Sequence, residues 1–350
     1  MMRRFLTLLI VLLILAGAGA FGLRMLWQRP GPLPQATDLL IPHGHLRTVA
    51  TALQADRVLP AGDAGRLLFM GLAGLTDRSG PLHAGEFRIS AHASIADVLQ
   101  VLRHARPVQH ELTIPEGLTS AQIAGLIDHA PALTGALDVP AEGSVLPETY
   151  AYELDTSRPV LLARMQAAMQ KALAATWASR DTSVPLTDRA QLLTLASIVE
   201  RETGLGTERS QVAEVFVNRI RQGMKLQSDP TVAYGAGGGL GSLPRPLTRS
   251  DLMQPNPYNT YVIPGLPPGP ISAPGLASLQ AVAHPAQGDL LYFVATGTGG
   301  HAFSATLPEH LRNVAQLRAV EAVHTGQMPT LDPLRAPPQV PLEAMRKRYR

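Results

Sequence analysis

The chain has 350 residues, room for two domains beyond a targeting segment, and at 45% hydrophobic and 16% charged most of it should fold. A net charge of +3 with 5% aromatics supplies neither a basic stripe nor a base-stacking surface, which argues against nucleic acid as a partner. There is no cysteine, so disulfides, thiol catalysis and Cys-ligated zinc are excluded.

Residues 1–29 read as an N-terminal transmembrane anchor. Arg3 and Arg4 precede an uncharged run from Phe5 to Leu23, and nineteen residues at ~1.5 Å each reach about 28 Å, enough to cross a bilayer core. The charges ahead of the run favour that end staying inside. The rival is a cleaved signal peptide, for which Ala16-Gly17-Ala18 and Ala18-Gly19-Ala20 offer small-residue cleavage sites. Both readings export the chain beyond Arg29. Residues 30–40 read as a linker, with Pro30, Pro32 and Pro34 in a PPII-prone run.

Ordered pattern is expected from Ile41. Ile41-Pro42-His43-Gly44 is a turn before Val49, Ala52 and Leu53 at helical spacing. A second helix is predicted over 64–75 and a short strand over 85–90. Ser94 then caps a helix carrying Ile95, Val98, Leu99 and Leu102 on one face. The start of this region has an echo. IPHGHLRTVATAL at 41 resembles IPEGLTSAQIAGLI at 114, both reading as strand, tight turn and helix. Two copies suggest a repeated βα-type unit; two unrelated Pro-Gly turns give the same pattern. Small strand–helix–helix–strand modules often bind extended polymers.

The second half reads as one larger domain. Glu142 to Tyr150 is a loop with two carboxylates and an aromatic, and a long helix starts near Ser157 and runs through Leu173. The stretch LLTLASIVERETG, 192–204, is the most informative. Leu192, Leu193, Leu195, Ala196, Ile198 and Val199 cover every side of a helix, which implies burial. Gly204 stands where the helix should stop. Glu200 therefore falls near the end of a buried helix. Burial and the negative end of the helix dipole both disfavour its charge, as a general acid requires. The plainer reading is that Glu200 and Glu202 solvate a helix end.

A helix runs on from Glu208, closed by Gly223. Residues 225–234 are polar, and Pro230 with the glycines beyond argues for a loop. Gly235 to Gly241 lacks the strand and the Lys-Ser/Thr of a phosphate loop. Asn256-Pro257-Tyr258-Asn259-Thr260-Tyr261 mixes amides, hydroxyls and rings, the side chains that bind sugars. Leu276, Leu279 and Ala283 suggest a short helix. A hairpin is predicted over 289–306 and a helix over 309–323. Residues 326–350 read as a Pro-rich basic tail positioned to touch anionic lipid. No HExxH occurs, and His301 and His310 fall on different elements, so no metal is expected. No G-x-S-x-G elbow appears.

Eight motifs in one order carry a resemblance: LTIPEGLTSAQIA at 112, EGSVLPETYAY at 142, LASIVERET at 195, VFVNRI at 215, LQSDPTVAYG at 226, NPYNTY at 256, GLPPGPISAPG at 265 and YFVATGTGGHAFSATLPEH at 292. The sequence resembles the YceG-like endolytic murein transglycosylase family over about 41–317. Two positions depart from the family pattern: Asn256 stands where Ser is usual, and Glu148 where Asp is usual.

The resemblance implies an α+β protein, with a LysM-like module over 41–110 and a catalytic transglycosylase domain over 111–325. It implies a single-pass protein of the bacterial inner membrane with its catalytic domain in the periplasm. The activity implied is cleavage of the MurNAc–GlcNAc β-1,4 bond of nascent peptidoglycan strands, leaving 1,6-anhydroMurNAc ends and terminating glycan elongation, without a cofactor. The family's catalytic glutamate falls on Glu200. Motif density offers Glu148, Glu202, Asn218, Gln227, Ser228, Asp229, Tyr258, Asn259 and Tyr261 as substrate-binding residues. Peptidoglycan synthases, the penicillin-binding proteins, are the implied partners. The contrasting reading is a non-catalytic glycan-binding scaffold of the cell-wall synthesis machinery.

Overall fold

The structure, a computed structural model, describes residues 2–325; the basic tail expected over 326–350 lies outside the described residues. The described chain forms two compact units. One runs up to Glu111 and includes Ala151–Thr156; the other comprises Leu112–Tyr150 and the chain from Ser157 onward.

The first unit opens with helix α1, Met2–Trp27. Its segment Leu9–Trp27 is long and apolar enough to cross a membrane, with a mean hydropathy of 2.2, and none of it is buried, so it is not a core helix. Then come β1 (Thr37–Ile41), α2 (Leu46–Ala55), α3 (Asp63–Leu75), β2 (Gly85–Ile89) and α4 (Ile95–His104). β1 and β2 pair antiparallel, Thr37 opposite Ile89 and Ile41 opposite Gly85. Alternation sends Leu39, Ile41, Phe87 and Ile89 into one core, where Leu53, Phe69, Leu99 and Leu102 meet them. On the outer face Arg88 pairs with Asp38 at 2.6 Å. Ser94 and Asp97 cap α4 reciprocally. Order begins earlier than expected: Thr37–Ile41 is a strand, Leu33 is buried, and the Gly31 N–H donates to the His92 carbonyl at 3.2 Å. Three prolines masked this segment, because PPII and edge-strand geometry share one region of backbone space.

The second unit contains α5 (Ser120–His129), α6 (Arg158–Ser179), α7 (Arg189–Glu202), α8 (Arg209–Arg221), α9 (Asp229–Ala236), α10 (Arg249–Met253), α11 (Leu276–Ala283), the hairpin strands β3 (Tyr292–Ala295) and β4 (His301–Ser304), and α12 (Leu307–Thr325). α7 is the central helix. Asp188 caps it by accepting the Gln191 N–H at 2.8 Å. Leu192, Leu195, Ala196, Ile198 and Val199 are all fully buried, packed by α6, α8, α9 and α11. The helix stops at Glu202, with extended Thr203 as its C-cap.

Both Ile-Pro-x-Gly stretches are strand, turn and helix: β1 leads into α2, and the strand His110–Thr113 into α5. One correction concerns residues 225–234. The expected loop is a helix from Asp229 onward, because Pro230 occupies the first turn, where no N–H is needed.

Candidate active site

The end of α7 is held by two loops from elsewhere in the second unit. The first is the segment 271–275, which leads into α11. The Ser197 hydroxyl, one turn before Glu200, accepts the Ile271 N–H at 3.0 Å and donates to the Thr194 carbonyl at 2.7 Å. The Ser272 hydroxyl donates to the Ser197 carbonyl. The second is the turn of the second Ile-Pro-x-Gly copy. The Gly117 N–H donates to Ala273 and the Ala273 N–H to Leu118, at 2.9 and 2.8 Å. Arg201 locks this turn from the helix side, donating to the carbonyls of Gly117 at 3.1 Å and Gly241 at 3.0 Å.

Glu200 sits where these pieces meet, its side chain only 6% exposed. Its Oε2 accepts the Gly275 N–H at 2.8 Å. Its Oε1 lies 3.4 Å from Arg209 Nη2, at the long end of the hydrogen-bonding range. The same Arg209 nitrogen lies 3.8 Å from Glu116 Oε2. The Glu116 carboxylate rests on the bare Cα of Gly275, filling the space a side chain there would need. Burial, then the charge of Glu200, raise the Glu116 carboxyl above its ordinary value, against the pull of Arg209. Arg209 also lines an open cleft of about 860 Å³, between α6 and α11, with Glu148, Lys171 and Leu276 on its walls. The cluster therefore holds the Glu200 carboxyl group in place by one amide and one guanidinium.

The other expected residues divide into four groups. Glu148 is exposed at the cleft, and its carbonyl accepts the Ile114 N–H. Glu202, Ser228, Asp229 and Tyr261 form a second cluster, about 200° round α7 from Glu200. Ser228 Oγ donates to Glu202, and the Tyr261 hydroxyl donates to Asp229 at 2.6 Å. Burial pushes Glu202 up to about 7, against the Ser228 hydrogen bond. Gln227 stands beside this cluster with a positive φ of 52°, its N–H on the Thr260 carbonyl. Tyr258 packs on Tyr234 at 4.8 Å between ring centres, and Tyr234 donates to Glu142 at 3.1 Å.

Asn218 and Asn259 are committed to the fold. The Asn218 amide donates to the carbonyls of Gly288 and Leu290, fixing the approach to β3. The buried Asn259 amide donates to Asp251, Leu252 and Gln254, closing the end of α10. A sequence shows that an amide is present, not that its hydrogens are spent on backbone carbonyls.

Sequence reasoning passed over Glu116, Arg209, Gly275 and Ser197. Two signals were available. The echoed turn carries Glu116 where the first copy has His43, and Ser197 interrupts an otherwise apolar run. Ser197→Ala strands the buried Ile271 N–H. It is expected to cost about 1–3 kcal/mol and to lower any activity of the Glu200 site severalfold, measured by urea unfolding and turnover on one preparation.

This chain belongs to the YceG-like family, whose model matches residues 39–316. It is 37% identical over 172 residues to the endolytic murein transglycosylase of Bacillus subtilis, an alignment covering 49% of this chain and 46% of the relative. It is 30% identical to the endolytic murein transglycosylase of Streptococcus pneumoniae strain D39, across 88% of this chain and 64% of the relative. The chain thus spans less than two thirds of either relative. A crystal structure of a YceG-like protein from Listeria monocytogenes is 28% identical and superposes with a TM-score of 0.49, over 80% of this chain and 99% of that one.

Proposed function

We propose that the protein is an endolytic lytic transglycosylase of peptidoglycan, a lyase with Glu200 as its acid and base. In this reading the Glu200 carboxyl protonates the O4 of GlcNAc as the bond to MurNAc C1 breaks. The carboxylate then takes the proton of the C6 hydroxyl of the same MurNAc, whose oxygen bonds to C1. Protons balance, no water enters, and the product ends in 1,6-anhydroMurNAc. An intramolecular nucleophile has a high effective concentration, so one carboxyl group suffices.

The observation that carries this reading is the setting of Glu200: a nearly buried carboxyl group at the end of the central helix, one oxygen fixed by an amide and the other against Arg209, which lines a cleft. Hydrolytic glycosidases place two carboxyl groups on either side of the scissile bond. Here the neighbouring carboxylate, Glu116, converges with Glu200 on one Arg209 nitrogen instead of facing it across an opening. The names of the two relatives support the same chemistry.

The finer parts of the proposal rest on the resemblance. The unit built on β1, β2 and α2–α4 is read as a LysM-like glycan-binding module, with domain limits at 41–110 and 111–325. α1 is read as a single-pass inner-membrane anchor that leaves the rest in the periplasm. Chain termination beside penicillin-binding proteins is the proposed role.

The test is to incubate the full chain in detergent with uncrosslinked glycan strands and identify the new ends by mass spectrometry. Anhydro ends are the expected product. Reducing ends would make it a hydrolase, and glycan binding without cleavage would make it a scaffold.

A further inference from the structure

Glu200 has to hold a proton before it can act, and a guanidinium wholly its own, added to the Gly275 N–H, would bias it to the carboxylate. Something has to weaken that bias. Glu116 stands in the position to do so. One guanidinium serves two carboxylates, which leaves the group with a net negative charge unless one carboxyl group is protonated. Glu200 is 6% exposed and Glu116 46%, so the pair has a sealed member and a member that exchanges protons with water.

We propose that Glu116 is a positioning residue that competes for Arg209 and so keeps the guanidinium from pairing with Glu200 alone. This rests on the reading of Glu200 as the acid. The competition is built into the backbone. Gly117, beside Glu116, is stitched to Ala273, and Arg201 grips the Gly117 carbonyl, so the turn cannot swing away without breaking three hydrogen bonds. Gly275 then gives room for the Glu116 carboxylate directly beside the amide that holds Glu200. Burial first, and then the charge of Glu200, raise the proton affinity of Glu116 against the pull of Arg209, so the two carboxyl groups act on each other around the one guanidinium. The charged groups acting on Glu116 are Glu200 on α7 and Arg209 on α8; Arg201 holds the neighbouring Gly117 carbonyl, and Glu148, Lys171 and the titratable His284 line the cleft that Arg209 borders.

Glu116 takes no part in bond breaking, so its signature is a change in pH dependence. The measurement is the rate of anhydro-end formation against pH, with the full chain in detergent and uncrosslinked glycan strands. Removing the charge of Glu116 gives Arg209 wholly to Glu200, which then loses its proton at lower pH. Glu116→Gln is therefore expected to move the alkaline limb down by about half to one pH unit, with roughly a three- to tenfold loss of rate above the limb. Arg209→Gln is expected to move the limb up, and the double variant to return it towards wild type. Glu116→Asp keeps the charge and should keep most of the limb, which carries the test if Glu116→Gln folds poorly. A uniform loss of rate with an unmoved limb, or a shift of Glu116→Gln and Arg209→Gln in the same direction, would overturn the proposal. Wild-type cleavage that survives Glu200→Gln would instead sink the acid assignment itself.

Discussion

Glu200→Gln is expected to lower the rate of anhydro-end formation by about 10²- to 10⁴-fold, the range for losing a general acid, with substrate binding little changed. The substitution keeps the shape and removes the proton. Its amide oxygen still accepts the Gly275 N–H, but its NH2 group then faces Arg209 Nη2, donor against donor. That mismatch costs about 1 kcal/mol, too little to unfold the domain. Thermal midpoints of wild type and variant should lie within a few degrees while the rates separate by orders of magnitude. Glu200→Asp sharpens the test. It keeps an acid but withdraws it from the Gly275 amide, and a displacement of about 1 Å is enough to cost about a hundredfold. Equal cleavage by wild type and the Gln variant would move the acid to another residue.

Glu202→Gln is expected to stabilise the protein, increasingly as pH rises from about 4.5 to 7. The Glu202 carboxyl is raised to about 7 in the fold, first by burial, while an unfolded glutamate titrates near its ordinary value of 4.5. The fold therefore binds a proton that the unfolded chain gives up between those values. The stabilisation present below pH 4.5 is lost as pH rises through 7. Above that the buried carboxylate is a net burden, on the order of 2 to 3 kcal/mol. Glutamine carries no such burden and still accepts the Ser228 hydroxyl. Urea unfolding at pH 5 and pH 8 decides it. The variant should lead by less than about 1 kcal/mol at pH 5 and by about 3 kcal/mol at pH 8. A variant that is weaker at pH 8 would mean that the charged form is favoured by Arg219 and Arg201, the two cations that oppose the burial.

The contrast between Glu200 and Glu202 also shows what a sequence can and cannot disclose. The helix itself was legible, since an apolar run on all sides has few alternatives to burial and Glu200 had to fall near its end. The capped helix behind Ser94 and the hairpin around Gly297 were legible for similarly local reasons, a side-chain cap in one and a glycine turn in the other. β1 and α9 were not. Each carries or adjoins proline, and proline punctuates some contexts while fitting edge strands and first helical turns in others. The site's supporting residues were hidden for a different cause. Glu116 reaches Glu200 only because the Gly117 N–H donates to Ala273 and the Ala273 N–H to Leu118, between distant parts of the chain. No window of sequence holds both ends of such a link. At Asn259 the amide was visible in the sequence and its three backbone partners were not.

Gly275 owes its place to size alone. Its φ of −74° and ψ of 169° are open to any amino acid, so glycine is not there for backbone freedom. An added Cβ would overlap Glu116 Oε1. The residue contributes a vacancy, which a carboxylate from another part of the chain has filled. Searches for functional residues look for reactive groups, and here one of the group's members is a hydrogen atom. Any larger residue at 275 would turn Glu116 out towards water and hand Arg209 to Glu200, altering the acidity of the site without touching an ionisable side chain.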